Sequence, residues 1–333
     1  MKFIAVEEAF VTPDIISAWS RKIASGDAEA GFKLLAQSVL FGDTDASRLM
    51  CERLLDIGKG RIAQMDADGL DVQVLSLTSP GIQVLDTDEA VELAADANNQ
   101  LADAVRRFPE RLYGLTAVAP QDPERAALEI ERGVSLGMKG IIINSHTHGT
   151  YLDEARFTPL LESAAAHNQP IYLHPRDPAP SMITPMLDYG LALAIWGFAA
   201  ETGLHAMRLI MSGVFDRHPA LKVVLGHMGE AIPFWLQRID NRYELLSKLG
   251  AMKRLERLPS EYFKENFAIT TSGVTSSPAL ELAVKVLGTE NIMFAADYPY
   301  ESAPEAVEFL KGVQDDDLRE KIGFRNATRF FNL

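Results

Sequence analysis

The stretch IAVEEAF, residues 4–10, reads as a strand buried along its whole length, yet it carries two glutamates in a row. Successive strand residues point to opposite faces, so Glu7 and Ala9 share one face while Val6, Glu8 and Phe10 share the other. An ionised carboxylate in a buried place is costly unless it is paired or bound to a metal. At least one of these glutamates therefore requires a cationic partner, which the rest of the chain is expected to supply.

Seven further apolar runs resemble that strand: VQVLSLT (72–78), LYGLTAVA (112–119), GIIINS (140–145), PIYLHP (170–175), KVVLGHM (222–228), FAITTS (267–272) and NIMFAADY (291–298). Most are rich in Val, Ile and Leu without clean alternation, the pattern of parallel strands covered on both faces. Helical stretches lie between them, at 45–69, 88–108, 122–137, 153–168, 230–249, 277–288 and 303–313. Eight strands alternating with helices point to an α/β fold closed as a (β/α)8 TIM barrel. A doubly wound sheet is the alternative, but no glycine-rich turn follows the first strand. One domain spanning 1–333 is expected, with insertions at about 11–44 after strand one and 176–199 after strand five, and a long connection at 250–265. In a barrel the two insertions fall on the catalytic face. The second reads equally as a packed core helix, a pocket wall or a subunit contact.

Composition narrows the function. The formal net charge of −14 argues against nucleic acid and anionic membranes as partners. It also means that an anionic substrate needs a local cationic site. The single Cys51 excludes an internal disulfide framework and suits a reducing compartment. No apolar run approaches the roughly 20 residues that span a bilayer, and the chain opens on a strand, so a cytoplasmic protein is expected.

A barrel gathers its chemistry at the C-terminal ends of its strands. Those ends carry Glu7, Thr78, Pro120, Asn144 with Ser145, His174, His227, Ser272 and Asp297. Two of the chain's seven histidines thus join a glutamate and an aspartate at one mouth. Each has a plain alternative: Glu7 pairing with a lysine, His174 capping a turn, His227 bonding a helix start, Asp297 serving as an N-cap. His205 is expected inside a helix, His146 and His148 in a solvated or supporting role, and His167 and His218 at the surface.

These motifs resemble the amidohydrolase superfamily, and more closely its decarboxylase branch, which acts on aminocarboxymuconate semialdehyde, γ-resorcylate, 2,3-dihydroxybenzoate and 5-carboxyvanillate. The resemblance is carried by IAVEEAF, LTSPGIQ (77–83), GIIINSHTHGTYLDE (140–154), YLHPRDP (172–178), GVFDRHPALKVVLGHMGEAIPFWLQRID (213–240) and FAADYPYE (294–301). LTSPGIQ, INSHTHGTYLDE and SMITPMLDYG look most like the 5-carboxyvanillate enzymes. The superfamily's strand-one His-x-His is here Glu7 and Ala9, and alanine cannot ligate.

The resemblance implies a metal held by Glu7, His174 and Asp297, with manganese as first choice and zinc as second. It makes Asp297 the proton donor and His227 the carboxylate contact, with Glu230 fixing the His227 tautomer. It offers Arg238, Asn144, Phe198, Arg48 and Arg176 as contacts to a small aromatic carboxylate, Arg238 being supplied by the neighbouring subunit of a homodimer or homotetramer in some relatives. The plain alternative for Arg238 is a surface ion pair with Asp240 or Glu244. Competing functions are a metal-dependent hydrolase of a lactone, ester or amide, a hydratase of a ring-cleavage dicarboxylate, and a metal-dependent binding protein.

Overall fold

Short strands with apolar side chains on both faces need cover inside and out, and a closed barrel ringed by helices provides it. The computed structural model of the chain describes residues 2–333. Its strands are β1 (Ile4–Phe10), β2 (Val72–Leu77), β3 (Leu112–Gly114), β4 (Thr116–Ala117), β5 (Ile141–Asn144), β6 (Ile171–His174), β7 (Val223–Leu225), β8 (Phe267–Thr270) and β9 (Ile292–Met293). Every pairing is parallel, in the orders β1-β2-β3 and β4 to β9. β3 and β4 are two halves of one stave: Leu115 N–H donates to Leu75 O at 2.9 Å, and Thr116 N–H to Gly140 O at 2.8 Å. The other end closes through Val6 N–H to Phe294 O at 3.1 Å and Ala9 N–H to Tyr298 O at 2.8 Å. The result is the expected (β/α)8 barrel.

β1 contains a bulge. Ala5 faces Gln73 while Glu8 faces Leu75, so one extra residue is accommodated across Val6 and Glu7. Bulges re-aim side chains beside functional sites. Here Glu7 faces the lumen, and Glu8 faces outward to Gln73 and the Ala296 N–H.

Several boundaries differ from the sequence reading. The single helix expected over 45–69 is two, Asp45–Leu55 and Lys59–Asp68. Asp56 breaks it, its carboxylate accepting from Gly58 N–H at 2.8 Å in a local turn. The helix expected from Glu230 starts at Ile232, because the preceding residues turn left-handed. The 250–265 connection contains the helix Pro259–Asn266. The first insertion folds as helices Pro13–Ala24 and Ala30–Leu35, anchored by Trp19 Nε1 donating to Gly81 O at 2.8 Å. The second runs through short turns into the helix Gly197–Met211.

The short β4 is held by a side chain. Asn98, on the helix Thr87–Arg107, donates to Ala117 O and accepts from Ala117 N–H, both at 2.8 Å, doing the work of a neighbouring strand. Replacing Asn98 by Ala should leave both backbone groups buried and unpaired, costing about 2–4 kcal/mol at 1–3 per orphaned group, discounted for relaxation. Urea denaturation with an unchanged m-value checks this.

Candidate metal centre and active site

Glu7 within β1, His174 at the end of β6 and Asp297 in the segment after β9 converge so that one ligand atom from each lies within 4.8 Å of the others. Ligands about 2.1 Å from an ion stand roughly 3–4 Å apart, so the spacing suits one cation. Glu7 is 2% exposed. Its Oε2 accepts from the hydroxyls of Tyr172 and Thr270, but its Oε1 is buried without a hydrogen-bond partner. That atom lies 3.5 Å from His174 Nε2. His174 Nδ1 lies 2.8 Å from Pro175 O, which can only accept, so Nδ1 carries the proton. Nε2 therefore presents a lone pair toward the orphaned carboxylate oxygen. Two carboxylates and a lone pair have no proton to share, and a divalent cation is their natural complement. The oxygen-rich set fits manganese, magnesium or zinc.

Asp297 has φ 59°, the left-handed region, which costs a non-glycine residue about 1–3 kcal/mol. It is not the N-cap of the last barrel helix: Ser302 caps Ala303–Lys311. Its Oδ2 lies 3.6 Å from His227 Nε2.

His227 opens a left-handed turn in which His227, Met228, Gly229, Glu230 and Ala231 have φ of 49°, 55°, 76°, 53° and 60°. Four of these are non-glycine residues, a concentration of strain of the kind found at functional sites. The turn folds Glu230 back under the imidazole, placing its Oε1 2.9 Å from His227 Nδ1. Burial alone would lower the His227 pKa. The Glu230 and Glu7 charges and the contact with Asp297 outweigh it and raise that pKa well above the usual histidine value. A divalent ion in the cage would oppose those charges.

Asn144, which pairs with His174 across β5 and β6, has a buried, unpartnered Oδ1. Phe198 lies half-buried in the first turn of Gly197–Met211. Two of the candidate arginines are engaged by carboxylates of the chain itself. Arg48 is turned to solvent and pairs with Asp43 and Asp45, the nearest carboxylates along its own helix end. Arg176 is completely buried, and its guanidinium contacts Glu29, Asp177 and the His146 carbonyl rather than standing free for a ligand. Arg238 is exposed and has no ion-pair partner among the described residues, so the alternative bridge to Asp240 or Glu244 is not formed there. It lines a groove of about 550 Å³ with Trp196, Leu204, Met207, Trp235 and Glu230.

Glu29, His146 and Asp177 form a second cluster of possible ligands. His146, however, is fully buried rather than solvated. Its Nε2 bonds to Asp177 O at 3.1 Å and its Nδ1 accepts from Gly149 N–H at 3.1 Å, leaving no lone pair for a metal. Arg176 already supplies the cation. Ser145, His205 and Glu201 imitate a catalytic triad, but the proton order is wrong for one. His205 Nε2 accepts from Leu152 N–H at 3.0 Å. Its protonated Nδ1 therefore donates to Ser145 Oγ at 3.2 Å, and that hydroxyl donates to Glu201 Oε1 at 3.0 Å. The imidazole cannot deprotonate the serine.

Sequence reasoning missed Tyr172, Thr270 and Gly226. Tyr172 lies two positions before His174 on the same strand face, a signal that strand periodicity offered. Gly226 is required by contact: a Cβ there would lie 2.7 Å from Glu7 Oε2.

An eight-staved barrel with a carboxylate–imidazole–carboxylate cage at its C-terminal mouth defines a metal-dependent amidohydrolase-type protein. The chain belongs to the amidohydrolase family, whose model matches residues 50–333. It is 38% identical over 291 residues to the γ-resorcylate decarboxylase of Polaromonas sp., covering 84% of this chain and 89% of that protein. The crystal structure of a 5-carboxyvanillate decarboxylase variant from Novosphingobium aromaticivorans, with manganese and a nitrobenzoic acid bound, superposes with TM-score 0.98 at 43% identity, covering 100% of this chain and 97% of that one. The Polaromonas dihydroxybenzoic acid decarboxylase with manganese and 2-nitroresorcinol superposes with TM-score 0.87 at 35% identity, covering 100% and 97%.

Gly226→Ala should fold yet bind manganese at least tenfold more weakly, because the new methyl displaces the Glu7 carboxylate; chelator competition measures this. Acid should also loosen the first insertion, the roof over the barrel mouth, in which Glu29 precedes the helix Ala30–Leu35. Glu29 is held at about 2, below the usual 4.5, because the His148 contact and the Arg176 charge outweigh its burial. The unfolded chain therefore takes up a proton before the folded one as pH falls. The stabilisation is complete above about 4.5 and is lost between there and about 2. Glu29→Gln should flatten that part of the stability–pH curve, read by chemical denaturation across the window.

Proposed function

We propose that this protein is a metal-dependent, non-oxidative decarboxylase of an ortho-hydroxybenzoate, with a 5-carboxyvanillate-type acid as the first candidate substrate and manganese ahead of zinc as the ion. The carrying observation is the orphaned Glu7 Oε1 inside a three-ligand cage that His227 faces. The manganese-bound decarboxylases similar to this chain support the reading.

A bound divalent ion would supply a Lewis acid for the phenol and carboxylate oxygens of the substrate. The chain's own groups do the rest. Direct loss of carbon dioxide would leave an aryl anion confined to the ring plane. Protonating the carboxyl-bearing ring carbon first avoids that species. Asp297 takes the proton from the arriving phenol and delivers it to that carbon. The carbon–carbon bond then breaks, its electron pair restores the aromatic ring, and carbon dioxide leaves. A positioned acid of this kind contributes about 10²–10⁴-fold. His227, held by Glu230, orients the carboxylate out of the ring plane, and Asn144 Oδ1 accepts from a ring hydroxyl.

We further propose that a second copy of the chain covers the Trp196–Trp235 groove, so that Arg238 reaches the substrate carboxylate of its neighbour. Trp196 and Trp235 are 60% and 49% exposed, a large apolar face for one chain to leave uncovered. The acidic chain needs such a cation near an anionic substrate. Cytoplasmic residence fits the single cysteine and completes the proposal.

With manganese or zinc, 5-carboxyvanillate, γ-resorcylate or 2,3-dihydroxybenzoate should yield the corresponding phenol and carbon dioxide. Turnover of lactones alone would overturn the reading. Asp297→Asn should abolish turnover and weaken metal binding. His227→Asn should keep the metal and slow turnover about 10²–10⁴-fold. Mixing inactive Asp297→Asn and Arg238→Ala chains should restore partial activity if Arg238 acts across the dimer; silence of the mixture would place it elsewhere.

A further inference from the structure

Asp297 enters the cage from a left-handed backbone, a conformation that persists only where its surroundings over-determine it. Both of its neighbours in sequence are clamped from behind the barrel wall. On one side, Ala296 N–H donates to Glu8 Oε1 at 2.9 Å, and Glu8 Oε2 accepts from Gln73 Nε2 at 3.2 Å. On the other, Tyr298 O accepts from Ala9 N–H at 2.8 Å. The two clamps meet at Arg61, whose guanidinium stacks 4.8 Å from the Tyr298 ring centroid.

Arg61 lies in Lys59–Asp68 and is 1% exposed. Its Nε donates to Asp56 O at 2.8 Å and its Nη1 to Gln73 Oε1 at 3.3 Å. Its Nη2 donates to Ala9 O at 2.7 Å and to Arg53 O at 3.0 Å. Four hydrogen bonds in one plane, with an aromatic ring against the face, use the shape that distinguishes arginine from lysine. Desolvating a guanidinium is expensive, and neither the proposed chemistry nor a substrate contact uses this one. Three of its contacts lead toward the two carboxylate ligands: Ala9 O lies two residues past Glu7, Gln73 relays to Glu8 beside Glu7, and the Tyr298 ring belongs to the residue after Asp297.

We propose that Arg61 is a positioning residue for the metal centre, tying β1 to the Asp297 segment so that the Glu7 and Asp297 carboxylates stand at ion-binding separation. The inference rests on the metal-centre reading and extends it to a residue that touches neither ion nor substrate. Outer partners of metal ligands typically contribute about 10–100-fold in affinity, and Arg61 is expected in that range.

The test measures manganese affinity by chelator competition, at a temperature where circular dichroism shows each variant folded. Arg61→Gln should bind manganese about 10–100-fold more weakly than the parent. Arg61→Lys, keeping the charge without the planar fork, should fall between them. Tyr298→Leu leaves the Arg61 hydrogen bonds in place and removes only the stacked ring, and it should weaken binding several-fold. A purely structural arginine would lower the melting temperature and leave the affinity of the folded protein unchanged, which overturns the proposal. Failure of both Arg61→Gln and Tyr298→Leu to fold also counts against it, since the strap would then serve the fold alone. A parent chain that binds no manganese would instead refute the metal centre itself.

Discussion

Two carboxylates from opposite ends of the chain meet in the barrel lumen, and the protein is organised around that repulsion. Glu7 and Asp297 belong to the first and last staves of the barrel, so they come together only when the sheet closes. Like charges at this range are tolerable only with a cation between them or a proton on one of them. The tautomer of His174 points a third electron pair at the same place. The donor set therefore defines a cation site from its own chemistry. Dihydroxybenzoates and related acids have two adjacent oxygens that can share such an ion.

Backbone strain marks the same place. Of the ten non-glycine residues in the left-handed region, six follow strands on the catalytic face: Ser145, four positions between His227 and Ala231, and Asp297. Extended or right-handed alternatives would be cheaper locally. The strained forms persist because hydrogen bonds on both sides hold them: Glu230 returns to His227, and Glu8 and Ala9 hold the segment around Asp297. Side chains that never contact the substrate thus set the positions of those that do.

Two other clusters show how proton and charge accounting separates a site from scaffolding. Glu29, His146 and Asp177 have ligand spacing, but every ring nitrogen of His146 is occupied and Arg176 neutralises the acids. Burial and the Arg176 charge hold His146 at about 2, so it stays neutral. Ser145, His205 and Glu201 have triad composition with the proton order reversed. Both clusters stitch the roof to the barrel. The second explains how a buried Glu201 is tolerated: two hydroxyls and the Ala179 N–H donate to it.

The barrel and most of the cage were legible in the sequence. Strand-end position is a local property: the apolar runs mark the staves, and in a parallel barrel their ends gather at one mouth. Glu7, His174, His227 and Asp297 could therefore be named from their place in those runs, and Glu230 from its spacing behind His227. What depends on contact between distant segments was not legible. The solvent-facing Arg48, the enclosure of Arg176, the β1 bulge and the support of Glu7 by Tyr172 and Thr270 belong to this class. Sequence carries which side chains can bear a charge and which strand end they occupy. Only the closed barrel decides which opposite charge stands nearest, because that neighbour lies tens or hundreds of residues away and is chosen by packing.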